Sequence, residues 1–209
     1  MQIETIASSQ PAPDMADGKR RLIDAALRLA AQGSSLSSLG LRELGREAGL
    51  NHNTFYRHFS NTDELGAAAV QEVARDVMAA MKDIRRNAAK HADATVGAAE
   101  YFFDFVLQHP QLFIVGLREL HSAGTAMRKT LQEVIHAISV ESVEQIVSLQ
   151  LAPGLSQEAL LQVTSAITHY LFYRSLDCIE QPQAREQIVA ETVHFMRAQF
   201  LGMGALQGH

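Results

Sequence analysis

The sequence predicts an all-α protein, and three observations carry that prediction. Alanine and leucine abound while prolines number only five, a balance that favours helices over sheets. Apolar residues recur at helical spacing, first as Leu22, Ala25, Ala26 and Leu29. Breaks punctuate the long stretches, at Ala48-Gly49, His109-Pro110 and Pro153-Gly154.

Composition sets further bounds. Hydrophobic residues make up 47% and charged residues 20% of the chain, the balance of a soluble globule with a proper core. No run of about 18 apolar residues suggests a membrane span. The first residues lack the basic and apolar regions of a secretory signal. The single cysteine, Cys178, rules out an internal disulfide and fits a reducing compartment, so a cytoplasmic location is expected. Cys178 stands among helix apolars and reads as structural.

Taken in order, residues 1–16 carry Pro11, Pro13 and small polar residues, the composition of a mobile arm. A helix is expected from Gly18 to Ala31, opening with Lys19, Arg20 and Arg21. A Gly/Ser-rich connection follows over 32–40. Next comes a short amphipathic helix with Leu41 and Leu44 inward and Arg42, Glu43, Arg46 and Glu47 outward. Gly49 ends it, since glycine tolerates the left-handed conformation that turns a chain sharply out of a helix. Asn51 then caps a second helix carrying His52 to Phe59. Asn61 to Glu64 reads as another N-terminal cap with a capping-box glutamate, opening a long helix to about Arg86 or Lys90. Further helices are expected over roughly 92–107, 111–121, 125–149, 156–180 and 182–200, with Pro182 in the first turn of the last. The final two bear apolar residues on more than one face, so something beyond the subunit core covers them, a second copy being the expected cover. Ile167 and Val193 stand as candidates for that face.

Two short helices joined by a tight turn read as a helix-turn-helix, whose second helix enters the DNA major groove. Side chains at the exposed start of such a helix reach base edges, and later ones meet phosphates. His52, Asn53 and Thr54 are therefore the candidate base readers beside Asn51, and the Asn53 amide is able to pair with adenine. Tyr56 and His58 are candidate phosphate contacts, with Arg57 at a phosphate or a neighbouring base. Arg42 is placed at a phosphate or groove edge and Arg21 near the phosphates, while Phe55 and Phe59 face the core. Charge agrees with this division. Residues 17–60 hold seven basic and four acidic side chains, net +3, whereas residues 61–209 carry net −6. Phosphate binding needs a local basic patch and not a basic protein. No Gly-rich phosphate loop, HExxH or Gly-x-Ser-x-Gly pattern occurs, and the nine histidines are scattered, so neither an enzyme, a cofactor nor a metal site is expected.

The register of Ala48, Gly49, Tyr56, His58, Phe59 and Glu64-Leu65 resembles the DNA-binding half of the TetR family of bacterial repressors. Gly40 replaces the family's usual Ser or Thr cap, Thr62 stands where many relatives have a phosphate-binding lysine, and Asn53 where many have glycine. The resemblance implies a flexible arm (1–16), a three-helix helix-turn-helix DNA-binding domain (17–62) and a helical ligand-binding and dimerisation domain (63–209). It also implies a homodimer formed through the last two helices, a pseudo-palindromic double-stranded operator and a small-molecule effector, with no membrane partner. Within the family, the stretches Leu41 to Gly66 and His109-Pro110, Phe113, Leu117-Arg118-Glu119 and Met127-Arg128 are similar to repressors of unsaturated fatty-acid synthesis that sense long acyl-CoA thioesters. On that likeness Tyr101, Phe102, Phe105, Phe113, Leu117 and Tyr170 line an apolar tunnel, and Arg118 and Arg128 meet the CoA phosphates beside the break at Ser122. Three readings stay open: an acyl-CoA, another apolar or drug-like effector, or a solid core in which Arg118 pairs with Glu119 or Asp104.

Overall fold

Gly49 adopts φ +63°, ψ +34°, and this left-handed residue sets the angle between the two short helices of the N-terminal head. The computed structural model describes residues 15–33, 35–88, 94–122 and 126–207. These form α1 (Met15–Ala31), α2 (Leu41–Ala48), α3 (His52–Phe55), α4 (Thr62–Ala88), α5 (Ala94–Gln108), α6 (Pro110–His121), α7 (Ala126–Ser148), α8 (Gln157–Glu180) and α9 (Arg185–Gln207), with short 3-10 turns at Leu36–Ser38 and Pro182–Ala184. The protein is all-α, as its composition and periodicity predict, and no strand occurs among the described residues. The arm expected over residues 1–16 lies outside them except for Met15 and Ala16, which already belong to α1.

Three boundaries differ from the sequence expectation. The helix expected through Phe59 ends at Phe55, because the chain then closes with shorter bonds, Arg57 N–H to Thr54 O and His58 N–H to Phe55 O, that draw Phe59 under Phe55. Pro182 opens a separate 3-10 turn and not α9, which begins at Arg185. The last helix also continues to Gln207, past the expected end at Phe200.

The head is built on Leu22, Ile23, Ala25 and Ala26 of α1 packed against Leu44, Ala48, Phe55 and Phe59. That core does not stop at the head. It runs through Leu65 and Ala69 of α4 to Val115, Met127 and Leu131 of the body. A Cβ on Gly66 would overlap the Met127 side chain and lie 3.1 Å from Leu36 Cδ1, so glycine lets α4 pass close to α7 there. In the body, α4 packs along α7, α7 along α8, and α5 against α8 and α9. A second core joins Phe102, Phe103, Phe105, Val106 and Phe113 to Cys178, Ile188 and Val193. Ile167 and Val193 are 6% and 7% exposed, so the two positions suggested for a subunit interface belong to the subunit's own interior. Burial pushes the Cys178 thiol above its ordinary pKa, which suits packing and not nucleophilic work.

Phe55 is fully buried and touches the Tyr56 and Phe59 rings. Phe55→Ala is expected to destabilise the protein by about 3–5 kcal/mol, the cost of a large aromatic cavity, read as a lowered urea midpoint.

Candidate functional site

The helix-turn-helix face is set by caps and by α1. The Asn51 side chain accepts from Asn53 N–H at 3.0 Å, so its carbonyl is committed to starting α3. The Asn61 side chain accepts from Glu64 N–H at 2.8 Å, while the Glu64 carboxylate accepts from Ser60 N–H at 2.6 Å. This reciprocal pair fixes the start of α4 and holds the Glu64 carboxyl below its ordinary pKa, the Ser60 bonds being the main cause. Between these caps Asn53, Tyr56 and Arg57 are exposed, Tyr56 at 62%, and Thr54 is half-buried. His52 opens α3, and Arg42 is exposed in the first turn of α2.

Two of the expected phosphate contacts have internal work. Arg21 donates to Gly49 O at 3.0 Å and lies 3.8 Å from Asp17, so it ties α1 to the turn. His58 is half-buried with Nε2 only 3.0 Å from where a Cβ on Gly18 would stand. Lys19 lies over the Phe59 ring at 5.9 Å. The first turns of α1 therefore grip the end of the recognition segment.

The head is joined to the body through α6. Arg118 Nη2 donates to Ala30 O at 2.7 Å, at the end of α1. Glu119 is 2% exposed and accepts from Leu36 N–H and the Ser35 hydroxyl, both at 3.2 Å. Of the partners expected for Arg118, Glu119 accepts from the loop after α1 and Asp104 pairs with Arg185 at 2.7 Å. A Glu119→Ala substitution strips the buried Leu36 N–H of its acceptor and removes one acceptor of the part-buried Ser35 hydroxyl. It is expected to cost about 1–3 kcal/mol, measured as a fall in chemical-denaturation stability.

The body encloses a cavity of about 730 Å³, within the usual range for small-molecule sites. Its walls come from α4 to α9 and are mainly apolar, with Val70, Met81, Phe102, Phe113, Ile138 and Phe172 as representative groups. Of the residues expected at a ligand, Phe102 and Phe113 line it, with their rings 5.6 Å apart at 83°. The other six do not. Tyr101 stacks on Phe105, which abuts His109; Leu117 is buried away from the cavity; and Tyr170 stacks on Phe195 at 4.0 Å. Arg118 holds α1, and Arg128 sits in the first turn of α7 outside the cavity wall. Ser122 ends α6, and the rest of the break beside it is outside the described residues. The cations that do line the cavity are Arg85 and Arg197, neither of which the sequence reading selected. A signal for Arg85 existed: Val70, Ala74, Val77, Met81 and Arg85 form one apolar stripe along α4 that ends in a charge. Among the described residues no three His, Cys, Asp or Glu side chains gather as a metal requires, and no helix is long and apolar enough to cross a membrane.

An exposed, capped helix-turn-helix on a helical head thus stands beside a helical body that holds an apolar cavity. Residues 22–69 match the family model described as "Bacterial regulatory proteins, tetR family". The chain is 29% identical over 189 residues, covering 90% of itself and 89% of the relative, to an uncharacterized HTH-type transcriptional regulator of Haemophilus influenzae. Among solved structures, the SmeT–triclosan complex matches with TM-score 0.64 at 15% identity, covering 88% of this chain and 90% of that one. The transcriptional regulator FadR from Bacillus subtilis in complex with stearoyl-CoA matches with TM-score 0.59 at 15% identity, covering 87% and 97%. Residues 22–69 thus resemble the DNA-binding part of TetR-family regulators, the curated relative is described as a transcriptional regulator, and the solved structures share the all-α fold.

Proposed function

We propose that this regulator is a homodimeric, ligand-responsive repressor that reads a pseudo-palindromic duplex and responds to a long-chain acyl effector, with acyl-CoA the leading class. The observation that carries the ligand response is α4. Its first turn is capped beside the recognition segment, and its later turns form one wall of the cavity. A ligand that prefers one tilt of α4 thereby biases where the head sits. The cavity runs along α4 from Val70 to Arg85, about 22 Å at 1.5 Å per residue, a shape suited to an extended chain. FadR, which has this fold, was solved with stearoyl-CoA. A drug-like effector is the second reading, favoured by the rings of Phe102, Phe113 and Phe172 and by triclosan in SmeT. Tyr173, Leu201 and Leu206, 60%, 75% and 75% exposed on α8 and α9, favour a second copy as the cover of those helices.

For DNA, Asn53 and Thr54 are assigned to base edges, with His52 beside them at the start of α3. Tyr56, Arg57 and Arg42 are assigned to phosphates. Tyr56→Ala is expected to weaken binding to every duplex. Asn53→Ala is expected to erase roughly 1–3 kcal/mol of preference for the cognate site over a scrambled one. Fluorescence anisotropy on a duplex selected by the protein from a random pool checks both, and unchanged affinities in the two variants would refute the assignment. Calorimetry with palmitoyl-CoA, oleoyl-CoA and triclosan separates the effector readings: saturable heats with the thioesters alone support the acyl reading, and heats with triclosan alone overturn it.

A further inference from the structure

We propose that Arg85 is the anion-binding pole of the cavity, so that the effector is an acyl amphiphile whose negatively charged head lies at the end of the cavity remote from the DNA-binding head. This rests on the reading that the cavity takes an acyl chain.

Arg85 stands near the end of α4 with its guanidinium held by neutral acceptors. Its Nη1 donates to Gln145 Oε1 at 2.6 Å and its Nη2 to Ser142 Oγ at 2.9 Å. Ser142 in turn donates to Ile138 O at 2.8 Å, and Gln145 donates to Glu141 Oε1 at 3.1 Å. Both partners of Arg85 thus have fixed orientations, and the guanidinium is aimed and not loose. Among the described residues no carboxylate lies within ion-pair distance of it, and the cavity wall contains Arg85 and Arg197 but no Asp or Glu. Burial lowers the Arg85 pKa from its ordinary value, with Glu141 opposing in part. A half-buried charge beside apolar walls is stabilised when it meets an opposite charge, and a planar guanidinium matches a carboxylate or phosphate better than any neutral group.

The charged groups of the wall gather at this end, while its other hydroxyls, on Thr164 and Thr168, are committed to Ser139 O and Thr164 O on α7 and α8. Arg85 and Ser142 are joined directly, and Thr95 is in the first turn of α5, whose Gly97 would place a Cβ 3.4 Å from Ile84. Arg197 lies one turn before Phe200, which packs on Ile146 and Leu160 at the far ends of α7 and α8. The opposite end, at Val70, Gly116 and Leu131, is apolar and adjoins the head core. The polarity of the cavity therefore runs one way, charged far from DNA and apolar near it.

The test uses the full-length protein and three probes with one chain: oleate, oleoyl-CoA and oleyl alcohol, each titrated by calorimetry below its critical micelle concentration. Wild type is expected to bind at least one of the two anions more tightly than the alcohol by roughly tenfold or more, and which anion wins identifies carboxylate or CoA as the source of the charge. Arg85→Gln is expected to bring that anion and the alcohol to similar affinity, and Arg85→Lys to keep part of the difference. Wild-type preference needs no variant, and circular dichroism establishes that each variant is folded. Equal binding of alcohol and anions by wild type, or an anion preference intact in folded Arg85→Gln, overturns the charged pole while leaving the acyl reading in place. Silence with all three probes overturns the acyl reading itself, and the pole with it.

Discussion

The carbonyl of Ala30 and the amide of Leu36 lie on either side of the loop that closes α1, and α6 holds both. Backbone groups at a helix end have no helical partner and must find one elsewhere when buried. Arg118 and Glu119, adjacent in sequence, supply that partner to the acceptor and the donor respectively. Everything the head presents to solvent depends on where α1 ends, because α1 also braces α3 through Gly18, Lys19 and Arg21. The same α6 places Phe113 and Gly116 in the cavity wall, within about two turns of those grips. Site and head therefore share a rigid element and not only a hydrophobic seam.

The head was legible in the sequence because its signals are local. Glycine at 49, asparagines at 51 and 61 and the glutamate at 64 each act within four residues of their own position, and each makes the turn or cap its type predicts. The long helices were legible for a similar reason, since Pro110 and Ser156 open theirs. The end of α3 was not, because its tightened last turn follows from Phe59 packing beneath Phe55, a contact that periodicity does not report.

The cavity was legible in kind but not in polarity. Phe102 and Phe113 stand out as aromatics on helices, whereas Arg118 and Arg128 drew attention through a chain break. Their true surroundings are set by how α6 and α7 are rotated against α1 and α4, and one sequence does not phase separate helices against each other. Arg85 continues the apolar stripe of Val70, Ala74, Val77 and Met81, but a stripe alone does not say what its terminal charge faces. The packing of α7 along α4 supplies that answer, placing Gln145 and Ser142 against the guanidinium. The Ile167 and Val193 placements failed in the same way, since a helix apolar on several faces does not say which face meets its own subunit.

The double grip of α6 carries a thermodynamic obligation. If an occupied cavity moves Phe113 and Gly116 enough to change how Ala30 and Leu36 are held, then duplex DNA that selects one head position must change the cavity's affinity by the same factor. Operator sites are in this sense effectors of the body. Specific DNA would then shift the concentration at which the small molecule half-saturates the protein in the same sense as the small molecule shifts DNA release: a ligand that promotes release would need a higher concentration when DNA is bound. On the proposed function, bound DNA would set part of the body's threshold for its ligand without touching a residue of the cavity.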